Sequence, residues 1–154
     1  MIDFLLVLSP VLSFVCVLIS VWQLVNFVKR PIYLCIPNPS VVIVSGSAQS
    51  NYLFSKGEMY YKLIPKKDAE IVYGRSKTAQ IRASQTQAAT SAQHFCIYWK
   101  NRCWMIEDLN STNGTYLNGN RLAKGESIKI KIGDTIHAGT VDMVLKKLPV
   151  SESN

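Results

Sequence analysis

The most informative stretch of the sequence is a strand-forming run followed by a polar loop, FCIYWKNRCWMIEDLNSTNGTYLNG at residues 95–119. Apolar and polar residues alternate on both sides of the central Lys-Asn pair, and a two-residue turn at that pair predicts a β-hairpin. The predicted register pairs Ile97 with Trp104 and Phe95 with Ile106. These four side chains then share one face, which we expect to be the inner face of a sheet.

The same two-residue period extends over the rest of the chain from Met59 onward. Short runs rich in Ile, Val and Tyr alternate with turn residues such as Asn118-Gly119, and no stretch there has the helical period. Many short strands at this spacing predict an all-β sandwich. Some 90 residues suffice for a single domain of this kind.

The N-terminal segment has a different character. Residues 4–28 contain no charged side chain, and a membrane-spanning helix needs about 20 apolar residues. A cleaved signal peptide would require a basic start and a shorter apolar core. Here Asp3 is the only charged side chain before the run. The segment therefore predicts one N-terminal transmembrane helix.

Charge around this segment predicts the topology. Lys29 and Arg30 follow it directly, and the positive-inside rule places that end in the cytoplasm. We expect a single-pass cell-membrane protein whose C-terminal domain is cytoplasmic. All 17 Lys and Arg residues follow the segment, which favours solubility beside anionic lipid. Nucleic-acid binding is not expected, because no basic helix or aromatic-basic RNA motif is present.

Composition divides the chain into four parts: a transmembrane anchor at 1–30, a juxtamembrane stem or linker at 31–58, a β-domain at 59–148 and a tail at 149–154. Three prolines favour an extended stem, and SGSAQSN at 45–51 resembles a flexible linker. The short run VVIV at 41–44 fits either a strand or a membrane-surface contact.

Three polar islands interrupt the predicted strands, at residues 74–76, 91–94 and 110–119. In a sandwich, the loops at one end of the sheets come together, so distant islands can form one site. Nearly all of their side chains can donate hydrogen bonds. No nucleophile–base–orienter set is visible, which argues against an enzyme. The four cysteines lack C-x-x-C spacing, so neither a metal site nor a redox motif is indicated.

The side chains of the three islands offer many hydrogen-bond donors and no catalytic acceptor, a combination that predicts an oxyanion ligand. Phosphate fits best, because Arg binds it in a forked geometry. The islands resemble, in order, the motifs of the forkhead-associated (FHA) domain: Gly74-Arg75, then Ser91-x-x-His94, then the loop LNSTNGT with a following Asn-Gly pair. The resemblance covers residues 59–148 and implies a β-sandwich of about eleven strands that binds phosphothreonine peptides.

The resemblance also implies a role for each matching residue. Arg75 and Ser91 would hold the phosphate, Thr112 would add to that grip, and Asn113 would hold the peptide backbone. The residues expected to shape and support these loops are Gly74, Ser76, His94, Ser111, Gly114, Thr115 and Asn118. One position departs from the family, because Ala92 stands where Arg or Asn is usual.

One span followed by one FHA domain resembles small bacterial membrane proteins linked to cell division and cell-wall synthesis. The expected function is a membrane-anchored adaptor for proteins phosphorylated by a Ser/Thr kinase, with no cofactor and no small-molecule substrate. The alternative is a phosphate-independent FHA-like structural module of a membrane assembly. Such modules tend to lack the phosphate-binding Arg and Ser, and both are present here as Arg75 and Ser91.

Overall fold

The computed structural model describes residues 13–25, 31–43, 51–67 and 69–147. The chain divides into two compact units, Met1–Arg30 and Pro31–Asn154. In the first unit an α-helix covers 13–25, and every one of these residues is exposed. Within the described ranges no helix is long and apolar enough to cross a membrane. The predicted transmembrane helix is therefore not confirmed.

The second unit is built from β-strands. In chain order, those in the described ranges are β1 (Ile32–Ile36), β2 (Val42–Ile43), β3 (Tyr52–Ser55), β4 (Glu58–Leu63), β5 (Glu70–Gly74), β6 (Ile81–Ala83), β7 (Phe95–Lys100), β8 (Cys103–Asp108), β9 (Thr115–Leu117), β10 (Asn120–Arg121), β11 (Ser127–Ile130), β12 (Thr135–Ala138) and β13 (Val141–Lys147). A short 3-10 turn, Pro39–Val41, precedes β2.

The strands form two sheets that pack face to face, as the all-β prediction requires. One sheet has the order β10-β9-β12-β13-β1-β4-β3, and the other has the order β11-β8-β7-β5-β6-β2. Their inner faces supply one continuous hydrophobic core, because successive side chains of a strand point to opposite faces. The predicted inner-face residues Phe95, Ile97, Trp104 and Ile106 are all buried. That part of the prediction is confirmed.

The structure corrects the stem predicted over residues 31–58. Strand β1 lies in the middle of the seven-stranded sheet, paired with β4 on one side and β13 on the other. Pro31 and Pro37 flank the strand and lie outside it. Every residue of β1 therefore keeps the backbone N–H that can bond to a neighbouring strand. The run at 41–44 contributes β2, which pairs with β6. The linker predicted at 45–51 and the tail at 149–154 lie outside the described residues, apart from Asn51.

The central hairpin also differs from its prediction in register. The turn is Asn101-Arg102, and Ile97 pairs with Ile106 rather than with Trp104. Both turn residues have positive φ, 50° and 59°, as a type I′ turn requires. Moving the turn by one residue shifts every partner by two positions. The same side chains therefore stay on the inner face, although their partners change.

Candidate functional site

Strand order brings the three polar islands to one end of the sandwich. Strands β5, β7 and β8 are neighbours, and the islands lie where β5 and β8 end and where β7 begins. The backbone N–H of His94 donates to the carbonyl of Tyr73 at 2.8 Å, and the N–H of Leu109 donates to the carbonyl of His94 at 3.0 Å. These bonds continue the ladder past the strand ends and fix the loops that follow.

Arg75 is held against the second island by its backbone and its side chain. Its N–H donates to the carbonyl of Ser91 at 3.0 Å, and its Nε donates to the carbonyl of Thr90 at 2.5 Å. The side chain is half-buried. Since Nε is occupied, the terminal guanidinium N–H groups are the ones that can bind an anion in a forked geometry.

Ser91 and Thr112 join the second island to the third. The hydroxyl of Ser91 accepts the backbone N–H of Thr112 at 3.0 Å, and the two hydroxyl oxygens lie 3.4 Å apart. Thr112 and Asn113 are exposed, and the Asn113 amide donates to the carbonyl of Ala89 at 2.7 Å. The cluster therefore places a guanidinium, two hydroxyls and an amide around one open surface.

His94 lies beneath this cluster, fully buried. Its Nδ1 accepts the backbone N–H of Ser91 at 3.0 Å, so the ring hydrogen is on Nε2, which donates to the carbonyl of Gly114 at 3.2 Å. Burial lowers the pKa of His94, although the bond to Gly114 and the charge of Asp108 act in the opposite direction. Both ring nitrogens of His94 are therefore engaged in hydrogen bonds, one to the second island and one to the third. The neutral ring holds these two islands together and has no nitrogen left to bind a ligand.

Asp108 stands two residues before the third island, and no role was predicted for it. It is buried, and it accepts the N–H of Ser111 at 3.1 Å and the hydroxyls of Ser111 and Thr115, each at 2.6 Å. Burial alone would raise its pKa, but these hydrogen bonds outweigh burial and lower it. Asp108 thus shapes the third island. The available signal was its place three residues before Ser111, as in an Asx turn.

Two of the predicted glycines allow close approaches around the site. A Cβ on Gly74 would lie 2.2 Å from the carbonyl oxygen of Ala92, which also accepts the N–H of Ser76 at 2.9 Å. Gly114 has φ +84°, and a Cβ there would lie 2.5 Å from Nε of Arg121. Arg121 is exposed beside the third island, and the sequence analysis did not identify it.

Asn118 is the one predicted site residue that lies away from the others. It forms the β9–β10 hairpin turn with Gly119, with φ values of 51° and 82°. Its amide donates to Asp134 at 2.9 Å and its side-chain oxygen accepts the N–H of Thr135 at 2.9 Å. It therefore supports the β11–β12 loop and not the loops of the islands.

The chemistry of the assembled cluster is that of anion recognition. Its exposed groups donate hydrogen bonds, and the neighbouring carboxylate of Asp108 already accepts three. Within the described ranges, no group of three or more His, Cys, Asp and Glu side chains could hold a metal ion. A ligand that accepts many hydrogen bonds and carries negative charge, such as a phosphate, matches this surface.

Comparisons with known proteins agree with the fold and the motifs. Residues 71–139 match the family model of the FHA domain. The FHA domain-containing protein At4g14490 of Arabidopsis thaliana is 34% identical over 65 residues, which are 42% of this chain and 17% of that protein. The match therefore spans less than a fifth of that relative.

Solved FHA domains have a similar structure. The FHA domain of an Arabidopsis thaliana hypothetical protein is 25% identical, with a TM-score of 0.55 over 82% of this chain and 93% of that one. A chain from an analysis of phosphothreonine-dependent FHA domain interactions is 22% identical, with a TM-score of 0.52 over 78% of this chain and 99% of that one. The sandwich of this chain therefore has the fold of FHA domains, and its residues 71–139, which include the three islands, match the family model.

Proposed function

We propose that this protein binds phosphothreonine peptides through Arg75, Ser91 and Thr112. The observation that carries the proposal is the convergence of these side chains from separate loops onto one open surface. Ser91 Oγ accepts the N–H of Thr112 at 3.0 Å, and Arg75 is bonded to the carbonyls of Thr90 and Ser91. A phosphate placed there would meet a charged fork and two hydroxyls without reorganisation of the loops.

The peptide backbone would be held beside the phosphate by Asn113. Its side chain is exposed and lies on the same loop as Thr112. In the structure its amide donates to the carbonyl of Ala89 at 2.7 Å, so the side chain has a defined position before any ligand arrives. Ala92 supplies no polar side chain at its exposed position. We therefore expect fewer contacts on that side of the phosphate.

We place the domain at the cytoplasmic face of a membrane. The helix at 13–25 exposes all of its residues, including the apolar Phe14, Leu18 and Trp22. A helix that is apolar on every side is typical of lipid surroundings or a protein core. Lys29 and Arg30 favour a cytoplasmic location for the domain. The protein would then recruit substrates of a Ser/Thr kinase to the membrane, with cell division or cell-wall synthesis as the process that its layout suggests.

Binding of the full-length chain to peptide libraries tests the phosphopeptide function. The purified protein, in detergent micelles, is incubated with matched libraries centred on phosphothreonine, phosphoserine and unmodified threonine. The phosphothreonine library should be retained and the unmodified one should not. One buried methyl group contributes about 0.8 kcal/mol, so phosphothreonine should exceed phosphoserine by a few-fold. Equal retention of the unmodified library would favour a structural module instead.

A further inference from the structure

The end of the sandwich opposite the phosphopeptide site carries a second exposed surface. Strand β7 runs from Phe95, beside His94, to Lys100, which at about 3.3 Å per residue is a separation of roughly 17 Å. Strand β4 ends and β1 begins at this far end, since Ile32 pairs with Leu63. The loop residues that the structure describes here are 64–67, 69, 101–102 and 131–134, which we name the basal loops.

The basal loops are rich in exposed positive charge. Glu70 is the exposed acidic group that the structure describes beside them. Asp134 is buried and accepts the N–H of Lys131 at 2.8 Å, so its carboxylate is not part of the exposed surface. The exposed cations that the structure describes on these loops and the adjoining strand ends are Lys66, Lys67, Lys100, Arg102 and Lys131.

Apolar and aromatic groups accompany the cations. Two large aliphatic side chains on these loops are exposed to solvent, Ile64 by 53% and Ile132 by 45%. Beside Lys67 and the hairpin turn lies an open cavity of about 660 Å³, lined by Lys67, Glu70, Tyr98, Trp99, Lys100 and Asn101. Lysines beside aromatic and aliphatic side chains are typical of surfaces that rest on lipid headgroups.

The chain enters the sandwich at this same end. Pro31, which begins the second unit, follows Lys29 and Arg30, and the uncharged segment 4–28 lies directly before them. Strand β1 starts at the next residue, Ile32. In the sequence, residues 29–31 alone separate the uncharged segment from β1. Strand β1 begins beside the basal loops, because Ile32 pairs with Leu63.

We propose that the basal loops dock on an anionic lipid surface, and this inference rests on the membrane anchoring proposed above. The cations attract acidic headgroups, and Ile64 and Ile132 contact the apolar boundary. Each Lys or Arg near such a surface changes its occupancy by about five-fold. Docking by this end turns Arg75 and the phosphopeptide site away from the lipid. A phosphorylated partner can then approach from the cytoplasm without meeting the bilayer.

Amide hydrogen exchange of the full-length protein in vesicles tests the docking. The protein is reconstituted in phosphatidylcholine with and without phosphatidylserine, and exchange is compared loop by loop. We expect the basal loops to exchange more slowly only when phosphatidylserine is present, whereas residues 109–114 exchange equally in both. Equal exchange of the basal loops in the two lipids would overturn the proposal.

A pair of matched variants locates the effect. Lys67→Gln with Lys100→Gln should reduce docking by roughly twenty-five-fold. Lys77→Gln with Lys124→Gln removes the same charge from exposed lysines elsewhere and should leave the protection intact. Equal effects of the two pairs would also overturn the proposal.

Two further readouts separate this inference from the proposed function. The Lys67→Gln, Lys100→Gln protein should bind phosphopeptides as the unmodified protein does. If the unmodified protein binds no phosphopeptide, the proposed function is contradicted and the docking result still stands. If the protein does not insert into vesicles but still associates with phosphatidylserine through the basal loops, only the proposed membrane anchor is contradicted.

Discussion

The hydroxyl of Ser91 accepts the backbone N–H of Thr112 at 3.0 Å, which joins two loops that are distant in sequence. Ser91→Ala removes this acceptor and, in the proposed site, one hydrogen-bond donor to the phosphate. We expect phosphopeptide affinity to fall by about ten-fold, since a hydrogen bond to a charged group contributes about 1.5 kcal/mol or more. Calorimetric titration measures the change. Ser84→Ala, at the start of the same β6–β7 connection and seven residues from Ser91, is the control, and equal affinities for the two variants would contradict the role of Ser91.

Gly74 should be intolerant of any side chain. A Cβ there would lie 2.2 Å from the carbonyl oxygen of Ala92, which is backbone and cannot move aside easily. We expect Gly74→Ala to lower the free energy of unfolding by about 3 kcal/mol and to weaken peptide binding, because Arg75 follows directly. Urea denaturation measures the first effect.

Gly119→Ala is the control for that substitution. Gly119 has φ +82°, and a Cβ at this position would have nothing within 4 Å. The substitution should therefore cost only about 1 kcal/mol for its backbone conformation. If Gly74→Ala lowers the free energy of unfolding no more than Gly119→Ala does, the close approach of Gly74 to the Ala92 carbonyl is contradicted.

Asp108 should stabilise the third island through its charge. It accepts hydrogen bonds from the N–H and hydroxyl of Ser111 and from the hydroxyl of Thr115. Asn at this position offers a single oxygen and turns an NH₂ group toward the donors. Asp108→Asn should therefore lower the free energy of unfolding by about 2–3 kcal/mol. Glu107→Gln is the adjacent control, and equally small losses in the two variants would rule out this role.

Stability should depend on pH through His94. Burial lowers its pKa in the folded protein, so below the unfolded value of about 6.5 the unfolded chain binds a proton that the folded chain does not. The free energy of unfolding should thus fall as pH decreases from about 7 to 5. The carboxyl group of Asp108 has a lowered pKa and titrates in a more acidic window.

Urea denaturation at several pH values checks this dependence. The slope between about pH 7 and 5 should be reduced in His94→Gln, which cannot be protonated in that range. A slope that survives in His94→Gln would assign the dependence to another group.

The sandwich and the meeting of the three islands at one end could be predicted because their signals are local. Alternation shows which side chains share a face, and short motifs mark the islands around Arg75, Ser91 and Thr112. The place of β1 could not be predicted, since its partners β4 and β13 lie elsewhere in the chain and the prolines around it suggested a stem. The hairpin register was wrong because Arg102 adopts φ 59°, a conformation that its residue type does not favour.

The contacts within the site could not be predicted from the sequence either. The pattern identified His94 as a supporting residue, but its tautomer follows from the bonds to Ser91 and Gly114. No role was predicted for Asp108, because nothing local in the sequence shows that three donors converge on a buried carboxylate. The resemblance placed Asn118 among the supporting residues. In the structure it forms a hairpin turn with Gly119, as its Asn-Gly sequence predicts, and its amide donates to Asp134.

Calorimetric titration of the full-length protein with a selected phosphothreonine peptide, with and without Arg75→Ala, tests the central claim most directly. Loss of the guanidinium should weaken binding by about ten-fold to over a hundred-fold. Arg75→Lys should restore only part of the affinity, since an ammonium lacks the forked geometry, and Arg102→Ala at the opposite end should change nothing. If Arg75→Ala binds as the unmodified protein does, or if the unphosphorylated peptide binds equally well, the phosphopeptide function is contradicted.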